Sequence, residues 1–270
     1  RDFCLSRGLG DVYKRQLYNG QIYFDTHKIG GSCMSHRRKL AMIFTMLLGG
    51  FFGLLNETLL TTALPRIMKD FNIEYSQVQW LTTAFLLTNG VVVPLSAFII
   101  QRYTTRQVFL TGIIIFLLGT LLGGFSPNFT TLLIARIIQA LGSGIMMPLM
   151  MTTILDIFKP HERGKYMGMF GLVIGLAPAI GPTLSGYLVE YLNWRSLFHV
   201  VAPISAITFI IALKIIKNVG TKVKTPIDMI SIMLSILGFG GLLYGVSSIS
   251  SDGWDDPVAV SYTHLTLPTN

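Results

Sequence analysis

The chain divides into runs of about twenty mostly apolar residues separated by short polar breaks. Twenty residues at 1.5 Å rise cross a hydrocarbon core of roughly 30 Å, so each run predicts a membrane-spanning helix. The pattern places spans near 40–62, 79–100, 108–125, 130–155, 167–189, 197–216 and 228–250. The fold class that follows is all-α and integral to the membrane, a six-helix bundle with a seventh helix after it.

The breaks alternate in charge. Twelve bases fall on one side: Arg37, Arg38, Lys39, Arg102, Arg106, Lys159, Arg163, Lys165, Lys214, Lys217, Lys222 and Lys224. Only three, Arg66, Lys69 and Arg195, fall on the other. Cytoplasmic loops carry the excess of Lys and Arg, so the N-terminus is expected inside a bacterial cytoplasmic (inner or plasma) membrane. The last span then exits outward into SSDGWDDP, which carries Asp252, Asp255 and Asp256 and no base. An odd number of spans ending there points to truncation.

Composition agrees with the pattern. Hydrophobic residues make up 51% of the chain and charged residues 13%. A soluble domain carries about 25% charge, so too little is present to coat a water-facing surface. The formal charge of +8 (21 Lys+Arg minus 13 Asp+Glu) comes from bases in short loops between apolar runs, which argues against a nucleic-acid partner. Cys4 and Cys33 precede the first run and form no disulfide framework.

The ends read differently from the middle. Residues 1–33 mix charge, glycine and aromatics without periodicity, and Met34 opens MSHRRKLAMIF in the manner of a natural start. CLSRGLGDVYKRQ and SYTHLTLPTN resemble translated adapter sequence. The expected organisation is therefore a non-native or disordered tail at 1–33 and a six-helix bundle at 34–217. A linking helix and outer loop follow at 218–260, with a second non-native tail at 261–270.

Two features inside the spans argue against a passive anchor. The first is a pair of ionisable groups, Glu57 and Arg136. A charge at the centre of a span costs at least about 2.5–3.5 kcal/mol, so it faces a partner or a water-filled cavity. Glu57 lies seventeen residues beyond Leu40, roughly 25 Å from the inner boundary. Arg136 lies six residues into an inward-running helix, about 9 Å below the outer boundary. Comparable depth permits pairing if the two helices are neighbours; a static ion pair and a snorkelling end-residue are the bland alternatives.

The second feature is the fifth span, MGMFGLVIGLAPAIGPTLSGYL, in which Gly168, Gly171 and Gly175 share a face that Ala179 extends. Small residues at that spacing let backbones approach closely in lipid. Pro178 and the pair Gly181-Pro182 weaken the ladder and invite a kink. The fourth span adds Gly142, Gly144 and Pro148. No G-x-x-x-x-G-K-[ST] loop, H-E-x-x-H pair or Gly-x-Ser-x-Gly elbow is present, and none of the five histidines lies at ligand spacing to another. No cofactor and no catalysis are expected.

Four ordered motifs carry a resemblance. LLNETLLTTALPRIMKDF (54–71), LLIARIIQALGSGIMMP (132–148), GLAPAIGPTLSG (175–186) and NWRSLFHVVAP (193–203) resemble the first-, fourth-, fifth- and sixth-helix motifs of the major facilitator superfamily. The likeness is to its fourteen-helix drug:proton antiporters of the EmrB/QacA type, and within them to lincomycin-resistance exporters. It covers about 34–260. Departures occur in the loop after the second span, where Ala97, Gln101 and Thr104 replace the family's Gly, Asp and Gly while Arg102 and Arg106 remain. On the first helix Asn56 stands where the family commonly has Asp, and the carboxylate is Glu57 next door.

The resemblance implies a proton-coupled efflux transporter working by rocker-switch alternating access, of which this chain holds the N-terminal portion. It implies Glu57, Asn56 and Arg136 for proton coupling or substrate. Gly171, Gly175, Pro178, Gly181, Pro182 and Gly186 would form the conformational motif, and Arg102 and Arg106 a cytoplasmic gating loop. The expected partners are lipid, protons, a small amphipathic or drug-like substrate and the missing C-terminal half. Phe85, Met146 and Met147 are candidate cavity residues, of types that ordinary packing also uses. The competing class is a seven-helix receptor or channel-like binding module, against which the inside N-terminus stands; a membrane-embedded enzyme lacks a cluster of reactive groups.

Overall fold

A computed structural model describes residues 34–219 together with 233–234, 237–238 and 241. Both tails and most of the seventh span lie outside the described residues. Within them the chain forms six helices: α1 His36–Phe71, α2 Tyr75–Arg102, α3 Thr105–Gly124, α4 Phe129–Ile157, α5 Pro160–Tyr191 and α6 Arg195–Ile215. All six are long and apolar enough to cross a membrane, and no strand occurs among the described residues.

The hydropathy pattern finds every one of these helices but stops several of them early. α1 runs on past residue 62, through Pro65, to Phe71, and α5 begins at Pro160, not 167. The reason is physical: hydropathy reports where lipid ends, whereas the helical ladder continues through Arg66, Lys69 and Asp70 into the polar zone. Local chemistry sets the true ends. Thr104 and Gln107 form a reciprocal capping box at the start of α3, and Asn128 accepts from the Thr131 N–H at the start of α4. Pro160 occupies the first turn of α5, where its missing N–H costs nothing. Asn72 closes α1 in the left-handed region at φ 49°.

α3 and α4 pack most intimately, because glycines remove the side chains between them. A Cβ on Gly119 would sit 2.7 Å from the Gln139 nitrogen and 2.9 Å from the Ala135 oxygen. A Cβ on Gly142 would meet the Gly112 oxygen at 2.5 Å. α1 lies against α4, α5 and α6, while α2 packs chiefly on α4. The core runs between them, through Met42, Met46, Leu59, Phe109, Phe116, Met150 and Phe198.

The two ends of the bundle are tied differently. At the basic end, Lys39 Nζ donates to the Ile157 carbonyl (3.1 Å), and Arg106 Nη2 donates to the Leu213 carbonyl (2.9 Å). Cations thus satisfy orphan carbonyls at the C-termini of α4 and α6. Arg106, expected in a gating loop, joins α3 to α6; both it and Arg102 are exposed. At the opposite end, Asp70 Oδ2 accepts from Trp194 Nε1 (2.9 Å) and Arg195 Nη1 (3.0 Å), and Arg195 Nη2 donates to the Ser126 carbonyl (3.1 Å). The Arg195 guanidinium also lies 4.2 Å from the Trp194 ring centroid. The Trp-Arg pair of the sixth-helix motif therefore clamps α1 and α3 to α6. An Asp70→Ala variant is expected to lose about 1 kcal/mol, since the clamp is partly exposed, and its melting midpoint in detergent should fall by a few degrees. An unchanged midpoint would show that the clamp contributes nothing.

Candidate functional site

Three helices line a partly open cavity of about 150 Å³. α1 supplies Gly50, Gly53, Leu54 and Glu57, spaced three and four apart and hence on one face. α2 supplies Phe85, Asn89 and Val93, again one face at four-residue intervals. α4 completes the wall with Ser143, Gly144, Met146 and Met147. The glycines make room: a Cβ on Gly50 would lie 3.0 Å from the Met150 methyl, and one on Gly53 3.3 Å from the Ser143 Cβ. Glu57 is the only carboxylate among these lining residues, and the polar company it keeps is Asn89 and Ser143, whose Oγ donates to Asn89 Oδ1 at 3.4 Å.

Arg136 is placed differently. It is fully buried on α4 and does not line the cavity. Its Nη1 donates to Gln139 Oε1 at 3.0 Å. Gln139 Nε2 in turn donates to Thr120 Oγ1 at 2.9 Å, and Thr120 donates to the Phe116 carbonyl at 2.8 Å. Because the Gln139 amide nitrogen is committed to Thr120, its oxygen is fixed toward the guanidinium. The face of the guanidinium rests on Phe85, 4.1 Å from the ring centroid. Nε and Nη2 have no partner among the described residues.

The anticipated meeting of Glu57 and Arg136 is realised only in part. The two charges are near enough to attract one another. The ion pairs among the described residues, however, do not include these two, so they form no contact within 4.0 Å. Asn56, about 100° round the helix from Glu57, is buried, its Nδ2 has no partner among the described residues, and it is not part of the cavity wall.

The fifth-helix motif also divides. Gly181 packs directly on the Thr58 side chain of α1, and four residues later Ser185 Oγ donates to the Leu59 carbonyl at 2.6 Å. Gly168, Gly171, Gly175 and Gly186 meet nothing within 4 Å among the described residues, and Pro178 and Pro182 are exposed. The close approach expected along Gly168, Gly171 and Gly175 is not found among the described residues; α5 meets α1 closely at Gly181 instead, a position expected only to kink the helix. Among the described residues nothing covers the rest of the face, because small residues specify that a helix can be approached closely without specifying by what.

Phe85, Met146 and Met147 all reach the cavity. Asn89, Ser143 and the Gln139–Thr120 relay were missed by sequence reasoning. The spacing Gly50, Gly53, Glu57 was the available signal for the first group; no signal in one helix predicts a hydrogen bond across α3 and α4.

Comparison with known proteins agrees with this architecture. Residues 46–262 match the model of the Major Facilitator Superfamily. The MFS-type transporter YcnB of Bacillus subtilis is 56% identical over 209 residues, covering 77% of this chain and 44% of that protein. The lincomycin resistance protein LmrB of the same organism is 45% identical over 223 residues, covering 82% of this chain and 47% of that protein. The chain thus spans less than half the length of these relatives. Among solved structures, the human organic anion transporter MFSD10 superposes with a TM-score of 0.63 at 15% identity over 83% of this chain and 59% of that one, a likeness of fold. Membrane-length helices, their packing and the family match agree: the chain belongs to the Major Facilitator Superfamily.

Proposed function

We propose that this chain is the N-terminal bundle of a proton-coupled exporter of small amphipathic molecules, and that Glu57 carries the coupled proton. The observation that carries this reading is a single carboxylate in the wall of an otherwise mostly apolar cavity, with a buried cation nearby. The wall of Phe85, Met146, Met147, Leu54 and Val93 suits a flat or flexible apolar body, and Glu57 suits a basic group attached to it. Coupling requires that proton and substrate exclude one another at one site, which a lone acid in a small cavity satisfies. Relatives named for lincomycin and multidrug resistance support the substrate class. This chain itself carries no phosphate-binding loop of the G-x-x-x-x-G-K-[ST] type.

In this reading the N-terminus and the basic end face the cytoplasm of a bacterial inner membrane. A second bundle docks on the open sides of α2 and α5, and the unfilled glycine face of α5 is where it slides or bends during alternating access. Substrate then occupies the space between the bundles, with Glu57 on this side of it.

The test is flux through a complete protein in proteoliposomes. Drug movement should follow an imposed pH gradient and reverse when the gradient is reversed. Flux indifferent to the gradient would remove proton coupling.

A further inference from the structure

The arrangement around Arg136 raises a question that the coupling scheme leaves open: what keeps a buried cation with two unpartnered N–H groups from closing on an acid within electrostatic range? Leaving such donors unsatisfied is costly, and a direct pair would relieve the cost. Phe85 answers it. Its ring is 1% exposed, lies 4.1 Å from the guanidinium and also forms part of the cavity wall that Glu57 lines, whereas Arg136 reaches no part of that wall. Gln139, pinned by Thr120, holds the guanidinium from the other direction through Nη1. The cation is therefore held in place by a ring on the cavity side and an amide on the α3 side.

We propose that Phe85 is a positioning residue which screens Arg136 from the cavity and holds it off Glu57, so that displacement of the ring lets the free N–H groups of Arg136 meet the carboxylate. The proposal rests on the reading of Glu57 as the coupled acid, but its first consequence, protection of Arg136, does not depend on transport. A substrate entering against the cavity wall, or a movement of α2 relative to α4, would displace the ring. Either event would exchange a cation–π contact for an ion pair, altering how firmly Glu57 holds its proton.

Protection can be read with phenylglyoxal, a dicarbonyl reagent for guanidinium groups, on this 270-residue chain in lipid nanodiscs, with modification located by peptide mass spectrometry. In the unaltered chain Arg136 should react at least about tenfold more slowly than the exposed Arg66 and Arg102. Phe85→Leu should raise the Arg136 rate by about tenfold or more, while Phe85→Tyr and Phe85→Trp, which keep a ring, should stay protected. Glu57→Gln should leave Arg136 protected, because the ring and not the acid screens it. If Phe85→Leu does not fold, Phe85→Met, unbranched and flexible, takes its place. The proposal is overturned if Arg136 of the unaltered chain reacts as fast as Arg66, if the ring-less variants stay protected, or if Glu57→Gln exposes Arg136. In a complete transporter, Phe85→Leu should also move the pH profile of efflux and Phe85→Tyr restore it. A missing proton dependence there, with the labelling pattern intact, would count against the coupling reading and not against the screen.

Discussion

Glu57→Gln in a complete transporter is expected to reduce proton-driven efflux to the level of passive leak, while expression and melting midpoint stay close to those of the unaltered protein. Gln matches Glu in shape and keeps hydrogen-bonding capacity, but it can neither gain nor lose a proton near neutral pH. Two readings of Glu57 divide on the second half of that result. If the acid were one half of a buried ion pair, removing it would strand Arg136 and cost about 3–5 kcal/mol. The structure forms no such pair: Glu57 lines a cavity, and Arg136 is held by Gln139 and Phe85. A stability change below about 1 kcal/mol is therefore expected, since what is lost is attraction across a gap and not a contact. Lost efflux with retained stability marks a switch, and retained efflux would exclude Glu57 from the coupling. Glu57→Asp, which keeps the charge on a shorter stem, should leave partial activity.

Much of this was legible in the sequence because lipid simplifies the problem. Each backbone crossing the membrane must satisfy its own hydrogen bonds, so an apolar run of sufficient length is a helix whatever it packs against. That constraint recovers all six described helices. It also marks Glu57 and Arg136, since a charge among apolar residues needs no partner to be noticed. Contacts between helices are another matter. The glycines of α5 and those of α3 and α4 look alike in the sequence, yet Gly142 abuts the backbone of α3 while Gly171 and Gly175 meet no neighbouring helix among the described residues. Likewise Gln139 and Thr120 are unremarkable polar residues until the register of α3 on α4 brings them to 2.9 Å. Pattern along one helix gives faces; which faces meet depends on the register between helices, which the pattern does not encode.

The α3–α4 crossing supplies the second large effect. Gly142→Val is expected to destabilise the chain by about 3 kcal/mol or more, at the upper end of the cost of overpacking, and to reduce its yield in membranes severely. The Cβ alone would fall 2.5 Å from the Gly112 carbonyl oxygen and 2.6 Å from the Phe116 nitrogen. Both neighbours are backbone atoms, so no side chain can swing aside, and the helices must separate along their length. Gly119→Val meets the same obstacle at the Gln139 nitrogen and the Ala135 oxygen. Gly171→Val or Gly175→Val in the same chain is the matched control: no atom of another described element lies within 4 Å of either added Cβ, and Val is no worse than Gly in a helix, so stability should hold within about 0.5 kcal/mol. Melting midpoints of the four variants in one detergent decide the matter, and a Gly142→Val chain as stable as its Gly171→Val counterpart would mean that α3 and α4 are not in backbone contact. The consequence reaches the site. Separating α3 from α4 pulls Thr120 from Gln139, which frees the amide that fixes Arg136. Gly142→Ala carries the same Cβ without the branch beyond it, so it too should part α3 from α4, at a smaller cost than Val, and should make the Arg136 guanidinium more reactive toward phenylglyoxal.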